Sequence, residues 1–168
     1  MAAEVAVPYL TDEETVVQLD RFIIDATAEV FASMIFMDLV PEDVVGDGSV
    51  DLDVAISSMI GLAGDLKGLL AVHCPRQVAL AVSGAMLGME MNDLDDDVKD
   101  ALGEIANMVA GGLKTSLVAA GSSVELAIPT TVVGNSIRTS GSSGASTLVV
   151  PFRVPDGMFA VELNYVLG

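Results

Sequence analysis

The sequence has few of the residues that disulfides and metal centres require. Its 168 residues include one cysteine, Cys74, one histidine, His73, and no tryptophan. A single cysteine excludes an intramolecular disulfide, and one cysteine with one histidine does not make a zinc framework. Because adjacent residues on a strand point to opposite faces, His73 and Cys74 cannot share a metal ion without further ligands. We expect both to be core or edge residues, and we predict no metal site.

Positive charge is also scarce. Seven lysines and arginines stand against 24 aspartates and glutamates, which gives a formal net charge of -17. Nucleic acids and anionic membrane surfaces are bound mainly by clustered basic side chains. The composition therefore predicts neither nucleic acid nor membrane as a partner.

Long apolar runs are missing, although 52% of the residues are apolar. No stretch approaches the roughly 18 consecutive apolar residues of a membrane-spanning helix. Most apolar side chains must then lie in a core, and a chain of this length fits one domain. The acidic N-terminus is unlike a signal peptide, which together with the lone cysteine predicts a cytoplasmic location.

The first half of the chain has the pattern of a helix followed by a hairpin. Thr11 and Glu14 form a capping box that opens a helix predicted to extend to about Asp38 and to be ended by Pro41. Two strands then flank a bend at Gly64-Asp65, and a second helix follows with a proline in its first turn. These two strands and the second helix are predicted at residues 54–60, 66–72 and 75–87.

The second half has the pattern of a long amphipathic helix, about 93–119, followed by strands. Asn92 or Asp93 is the predicted N-cap of this helix, and a Gly/Ser-rich segment, 135–146, is predicted to be a loop. The late strands are predicted at residues 124–128, 147–152 and 158–165.

These elements predict an α+β fold, with a mainly antiparallel sheet covered by helices. We expect a single domain over residues 11–168, preceded by an N-terminal tail of residues 1–10. The long helix is its most distinctive element.

That helix carries a polar stripe with a carboxylate and a carboxamide one turn apart. Residues three and four apart are neighbours on a helix surface, so Glu104 and Asn107 lie side by side. The apolar residues lie mainly around the other side, which predicts that the stripe faces solvent or a partner. Glu104 and Asn107 are therefore a candidate catalytic pair. The stripe consists of Asp97, Asp100, Glu104, Asn107, Gly111 and Lys114.

Three glycines interrupt this helix. Gly103, Gly111 and Gly112 each cost about 1 kcal/mol relative to alanine in a helix interior. On one interpretation, Gly103 and Gly111 keep the surface beside the polar pair flat enough for another backbone to approach. On the other, the glycines let the helix pack tightly against a strand. Periodicity alone favours the second interpretation.

The segment from Asp100 to Met108, D-A-L-G-E-I-A-N-M, followed by A-G-G and Lys114, resembles the signature helix of the CheC, CheX and FliY chemotaxis phosphatases. The resemblance implies an enzyme that removes phosphate from the aspartyl phosphate of a chemotaxis response regulator. Glu104 and Asn107 occupy the positions of the E-x-x-N motif, so the resemblance makes them the active residues. We assign Asp100, Gly103, Gly111 and Lys114 to the surrounding partner-binding surface.

The number of motif copies makes the chain most similar to CheX. CheC-type members resemble a doubled structure with two E-x-x-N helices, whereas the first helix here offers Glu29-Val30-Phe31-Ala32. Alanine stands where the second asparagine would be. The order of elements also resembles CheX from about Glu13 to the C-terminus.

The resemblance also implies roles and partners. Asn107 would orient the attacking water, a known function of carboxamides in phosphoryl transfer. Glu104 would pair with the lysine of the regulator's phosphorylation site, although a general-base role is an alternative. Magnesium would belong to the phosphorylated CheY-like regulator, so this chain would need no cofactor of its own. A homodimer is implied as well.

Two alternatives to this function use residues of the same region. A non-catalytic module that binds a regulator or a flagellar switch component would use the same acidic face. A calcium loop is suggested by Asp93, Asp95, Asp97 and Glu104, which fall at positions 1, 3, 5 and 12 of an EF-hand. However, Val98 stands at position 6, where that loop needs glycine, so calcium is not predicted.

Overall fold

An antiparallel sheet forms one layer of the structure, and helices cover one of its faces. The computed structural model describes residues 12–45, 50–134 and 145–167, with side chains described from residue 18 onward. The predicted tail, the Thr11 end of the capping box, and residues 135–144 of the Gly/Ser-rich segment lie outside the described residues. The predicted domain boundary therefore stays a prediction.

The described part of the sheet has seven strands, and all of its strand pairs are antiparallel. The order across the sheet is β1-β6-β7-β3-β2-β4, with β5 also paired to β2. This arrangement confirms the predicted α+β class. The strands are β1 (Val40–Pro41), β2 (Val54–Gly64), β3 (Leu66–Pro75), β4 (Val124–Leu126), β5 (Thr130–Val133), β6 (Ser146–Val154) and β7 (Gly157–Leu167).

The predicted hairpin is confirmed as β2 and β3. The two strands are joined at Asp65 and pair from Leu62↔Gly68 to Val54↔Pro75. Gly64 has a φ of +112°, and a β-carbon there would lie 2.4 Å from the main-chain oxygen of Ser123. Glycine is therefore the residue that this bend accommodates.

The residues that the structure describes form three α-helices: α1 (Asp12–Val30), α2 (Arg76–Leu87) and α3 (Asp96–Ala119). The first continues as a π-helical turn, Phe31–Ile35, and stops because Phe36 adopts a left-handed conformation, with φ of 59°. The prediction that the helix extends to about Asp38 and is ended by Pro41 is therefore wrong. No helix in the described part of the chain is long and apolar enough to cross a membrane.

The start of α3 also differs from the prediction. Asp95, and neither Asn92 nor Asp93, is its N-cap: the Asp95 carboxylate accepts a hydrogen bond from the Val98 N–H at 3.0 Å. Two further acidic residues, Asp96 and Asp97, lie in the first turn, where they complement the helix dipole.

Strands β4 and β5 belong to one strand line that a bulge interrupts. Leu126 pairs with Leu62, whereas Thr130 pairs with Met59. Three steps along β2 thus correspond to four steps along the partner, so the partner has one extra residue. The predicted strand 124–128 is shorter in the structure, and β5 was not predicted.

The core lies between the sheet and the helices. Phe159 of β7 stacks on Phe31 at a centroid distance of 5.4 Å and on Phe152 at 5.3 Å. Alternate residues of β2, β3, β6 and β7 face this core, as do the apolar sides of the helices. Burial of this core holds α3 in a fixed position over the sheet.

Candidate functional site

The polar stripe of α3 is at the surface, as predicted. Glu104 and Asp100 are exposed, and Asn107 is half-buried. The opposite side of the helix packs on α1, on α2 and on the sheet. The helix therefore presents a carboxylate and a carboxamide one turn apart on an open, rigid surface. The buried side of α3 comprises Val98, Ala101, Leu102, Gly103, Ile105, Ala106, Val109, Ala110, Leu113 and Leu117.

The three glycines of α3 have three different surroundings. A β-carbon at Gly103 would lie 3.4 Å from Thr131 Oγ1 on β5, and one at Gly112 would lie 2.6 Å from the Ala26 β-carbon on α1. A β-carbon at Gly111 would meet nothing within 4 Å. Close packing thus explains Gly112 and accounts for buried Gly103, whereas packing within the chain does not explain Gly111.

Lys114 lies two helical turns beyond Asn107, and its ammonium nitrogen is 4.0 Å from Glu125 Oε2 on β4. Both side chains are partly exposed, so this ion pair contributes little to stability. The charged members of the stripe at its N-terminal end, Asp97, Asp100 and Glu104, are all acidic and exposed. Beside them, the Lys99 ammonium nitrogen lies 3.9 Å from Asp96 Oδ1. The stripe itself is therefore acidic at its N-terminal end and has one cation, Lys114, at its C-terminal end.

A second polar group lies on the opposite face of the sheet. Ser57 Oγ is 2.6 Å from His73 Nδ1, and His73 Nε2 is 2.9 Å from Glu162 Oε1. The combination resembles a nucleophile, base and acid, but Ser57 is 0% exposed and His73 is 7% exposed. A substrate carbonyl or phosphoryl group has no access to this hydroxyl. Ser57, His73 and Glu162 therefore form a hydrogen-bond network within the sheet.

The predictions for His73 and Cys74 are confirmed in this respect: both are buried and they point to opposite faces. Cys74 is 2% exposed and belongs to the core. Its burial raises the pKa of the thiol to about 12. The thiol is therefore protonated at neutral pH and is not a nucleophile or a metal ligand there.

The residues that suggested a calcium loop are used otherwise. Asp95 caps α3, and Val98 is 0% exposed inside the first turn of that helix. Within residues 12–45, 50–134 and 145–167, no group of three or more His, Cys, Asp or Glu side chains is arranged to hold a metal ion.

Comparison with known proteins connects this chain to one family. Residues 56–153 match the family model of "Chemotaxis phosphatase CheX". The chain is 34% identical over 114 residues to the CheY-P phosphatase CheX of Thermotoga maritima. The aligned region covers 67% of this chain and 70% of that protein.

Solved structures show the same fold. CheX of Desulfovibrio desulfuricans is 27% identical and superposes with a TM-score of 0.80, covering 90% of this chain and 99% of that one. A complex from Borrelia burgdorferi contains CheX with CheY, BeF3 and Mg2+. It is matched at 25% identity with a TM-score of 0.73, over 88% of this chain and 97% of that one.

Proposed function

This chain belongs to the CheX family, and we propose that it hydrolyses the aspartyl phosphate of a CheY-like response regulator. The observation that carries the proposal is the side-by-side presentation of Glu104 and Asn107 on the open side of α3. Supporting it, a 34% identical relative is a CheY-P phosphatase, and a solved relative is in complex with CheY.

In the proposed reaction, Asn107 orients water for in-line attack on phosphorus. The side-chain oxygen accepts a hydrogen bond from the water, whose oxygen forms the new bond to phosphorus as the bond to the aspartate oxygen breaks. The aspartate leaves as a carboxylate and the phosphoryl group leaves as inorganic phosphate. Because a carboxamide is not basic, the proton of the water passes to a phosphate oxygen. Asn107 thus acts by positioning.

Glu104 has the proposed role of docking. Glu104 is exposed and lies on the same helical face, one turn before Asn107. A lysine of the regulator's phosphorylation site is a fitting partner, because one short ion pair between two rigid surfaces sets the position of the neighbouring asparagine. The pairing would therefore fix the distance between Asn107 and the phosphorus atom.

Around this pair, we propose that Asp100, Gly111 and Lys114 form the docking surface. Gly111 leaves open space one turn after Asn107, which suits the close approach of a partner backbone. Gly103, in contrast, is buried against β5. We therefore leave Gly103 out of this surface. The absence of a side chain there is explained by close packing against Thr131 within the chain.

We propose that the regulator supplies the magnesium ligands and that this chain supplies none. The Borrelia complex, which contains Mg2+ and BeF3 together with CheY, supports this assignment. A magnesium ion in the partner would neutralise the phosphoryl charge. It would thereby reduce the repulsion between the phosphoryl group and the acidic stripe.

A homodimer and a cytoplasmic location remain predictions. Among the described residues, the sheet has two edges at which a second copy could pair, one at β1 and one at β4 and β5. Light scattering of the purified protein measures the oligomeric state directly. A cytoplasmic location suits a response-regulator substrate and a lone cysteine.

The decay of a phosphorylated response regulator from the same genome, with magnesium, tests the proposed function. The wild-type protein is expected to accelerate phosphate loss. Asn107→Ala should reduce that acceleration about a hundredfold or more, because a positioned catalytic contact is removed. The fold should be kept, since alanine favours the helix.

Glu29→Ala is the matched control. Glu29 is an exposed glutamate on α1 in the incomplete copy of the motif, so this variant should retain full activity. Equal activity of Asn107→Ala and wild type would contradict the mechanism. If the wild-type protein binds the regulator but does not accelerate phosphate loss, the non-catalytic interaction module is favoured.

A further inference from the structure

Ile128 is the most exposed large apolar side chain among the described residues, at 88%. It follows β4 and precedes Pro129 and β5. An isoleucine in this position contributes nothing to the core, because nearly all of its surface remains in water. Its exposure therefore has no explanation in the packing of this chain.

Ile128 lies in the bulge between β4 and β5. Ala127 donates its N–H to the Gly61 oxygen at 2.9 Å, and Thr130 pairs with Met59. Ile128 and Pro129 are thus the two residues that oppose the single residue Ile60. A bulge of this kind re-aims a side chain, and proline suits it because its missing N–H is not needed in the ladder.

Two contacts place the bulge relative to α3. On one side of it, Thr131 Oγ1 lies 3.4 Å from the β-carbon position of Gly103. On the other side, Glu125 Oε2 lies 4.0 Å from the ammonium group of Lys114. The strand line and α3 therefore run side by side in opposite directions. The bulge falls between these contacts, alongside the part of α3 that carries Asn107 and Gly111.

We propose that Ile128 is a docking residue for the response regulator, in contact with apolar surface beside the regulator's phosphorylated aspartate. This inference rests on the proposed function and extends its surface from α3 to the bulge. The partner is the same one, because a protein whose phosphoryl group lies over Asn107 would also cover the neighbouring bulge.

The charges of the site favour this choice of contact. The chain has a formal net charge of -17, and two further exposed carboxylates, Asp97 and Asp100, share the face of α3 with Glu104. A phosphorylated regulator brings further negative charge to that surface. An apolar contact provides attraction that does not depend on charge, and a buried aliphatic anchor beside polar contacts is a common form of binding hot spot. Ile128 would supply affinity, whereas Asn107 would supply the chemistry.

The test measures the dissociation constant for a response regulator activated with beryllofluoride and magnesium, alongside kcat for the phosphorylated regulator. Ile128→Ser should raise the dissociation constant about tenfold, as expected for loss of a buried aliphatic side chain. Its kcat should be unchanged, and so should its thermal unfolding, because the side chain is outside the core. Ile128→Leu should retain most of the affinity.

Val40→Ser is the control. Val40 is an exposed apolar residue, 53% accessible, on β1 at the opposite edge of the sheet. The Val40→Ser protein should bind the regulator with the same affinity as the wild type. Equal affinities for Ile128→Ser and wild type would overturn the inference while leaving the phosphatase intact. A loss of affinity that accompanies loss of a dimer in light scattering would also overturn it, because a second copy would then be the partner of this edge. Wild-type protein that neither binds nor dephosphorylates any regulator would overturn both proposals.

Discussion

Gly111 and Gly112 are adjacent in the sequence, yet they have different physical reasons to be glycine. The Gly111→Ala methyl group would meet no atom within 4 Å, whereas the Gly112→Ala methyl group would lie 2.6 Å from the Ala26 β-carbon. Alanine should therefore raise the free energy of unfolding by about 0.5–1 kcal/mol at position 111, through helix propensity alone. At position 112 it should lower this free energy by about 1–3 kcal/mol, because α1 must move away. Urea denaturation measures both changes.

The two variants should also separate stability from function. Gly111→Ala is expected to bind the activated regulator more weakly although it is more stable, because its methyl group occupies space that the partner backbone would use. A Gly111→Ala protein with unchanged stability and unchanged affinity would contradict this explanation. Gly112→Ala serves as the control, because its defect should appear in unfolding and leave the affinity of the folded protein unchanged.

At the level of elements, the cap of α3 is the clearest local determinant. Asp95→Ala should destabilise the protein by about 1 kcal/mol, because it removes the acceptor for the Val98 N–H and a negative charge at the helix N-terminus. Asn92→Ala is the matched control, because the hydrogen bond that Asn92 accepts from Arg76 uses its main-chain oxygen, which alanine retains. Thermal denaturation of the two variants should show a loss only for Asp95→Ala. An equal loss in both would reject Asp95 as the cap.

The sequence-based predictions succeeded for elements that are regular over many residues. Helix α3 and the β2–β3 hairpin have sustained periodicity and a clear turn, so their positions could be predicted to within a few residues. β5 was missed because the bulge at Ile128 and Pro129 breaks the alternation that identifies a strand. The end of the first helix was missed because a left-handed bulky residue, Phe36, leaves no signal in residue type.

In the candidate site as well, the sequence predicted local geometry but did not predict contacts between distant elements. The E-x-x-N spacing placed Glu104 and Asn107 on one surface of a helix, because helical geometry fixes neighbours three residues apart. The sequence did not predict that the β4 and β5 strand line runs alongside α3, since strands and helices come together only through tertiary packing. For the same reason, the hydrogen bonds of His73 with Ser57 and Glu162 across three strands were not predicted.

For the molecule as a whole, the large negative charge raises the question of how an anionic substrate binds. Long-range repulsion would slow the encounter at low salt, and added salt screens it beyond about 10 Å at 0.1 M. The ion pair proposed for Glu104 would weaken slightly with salt, which acts in the opposite direction. Apolar contact at Ile128 would be affected little. These opposing changes should leave a weak net dependence.

We therefore expect kcat/KM for the phosphorylated regulator to change less than about threefold between 0.05 and 0.3 M salt. The measurement is the rate of phosphate loss at fixed magnesium, corrected at each salt concentration for the regulator's spontaneous decay. Ile128→Ser should show the same salt slope at lower kcat/KM, because it removes an apolar contact and no charge. A steep fall in wild-type kcat/KM would mean that a charged patch outside the α3 surface controls docking. A steep rise would mean that repulsion by the whole molecule, and no short-range contact, limits the encounter.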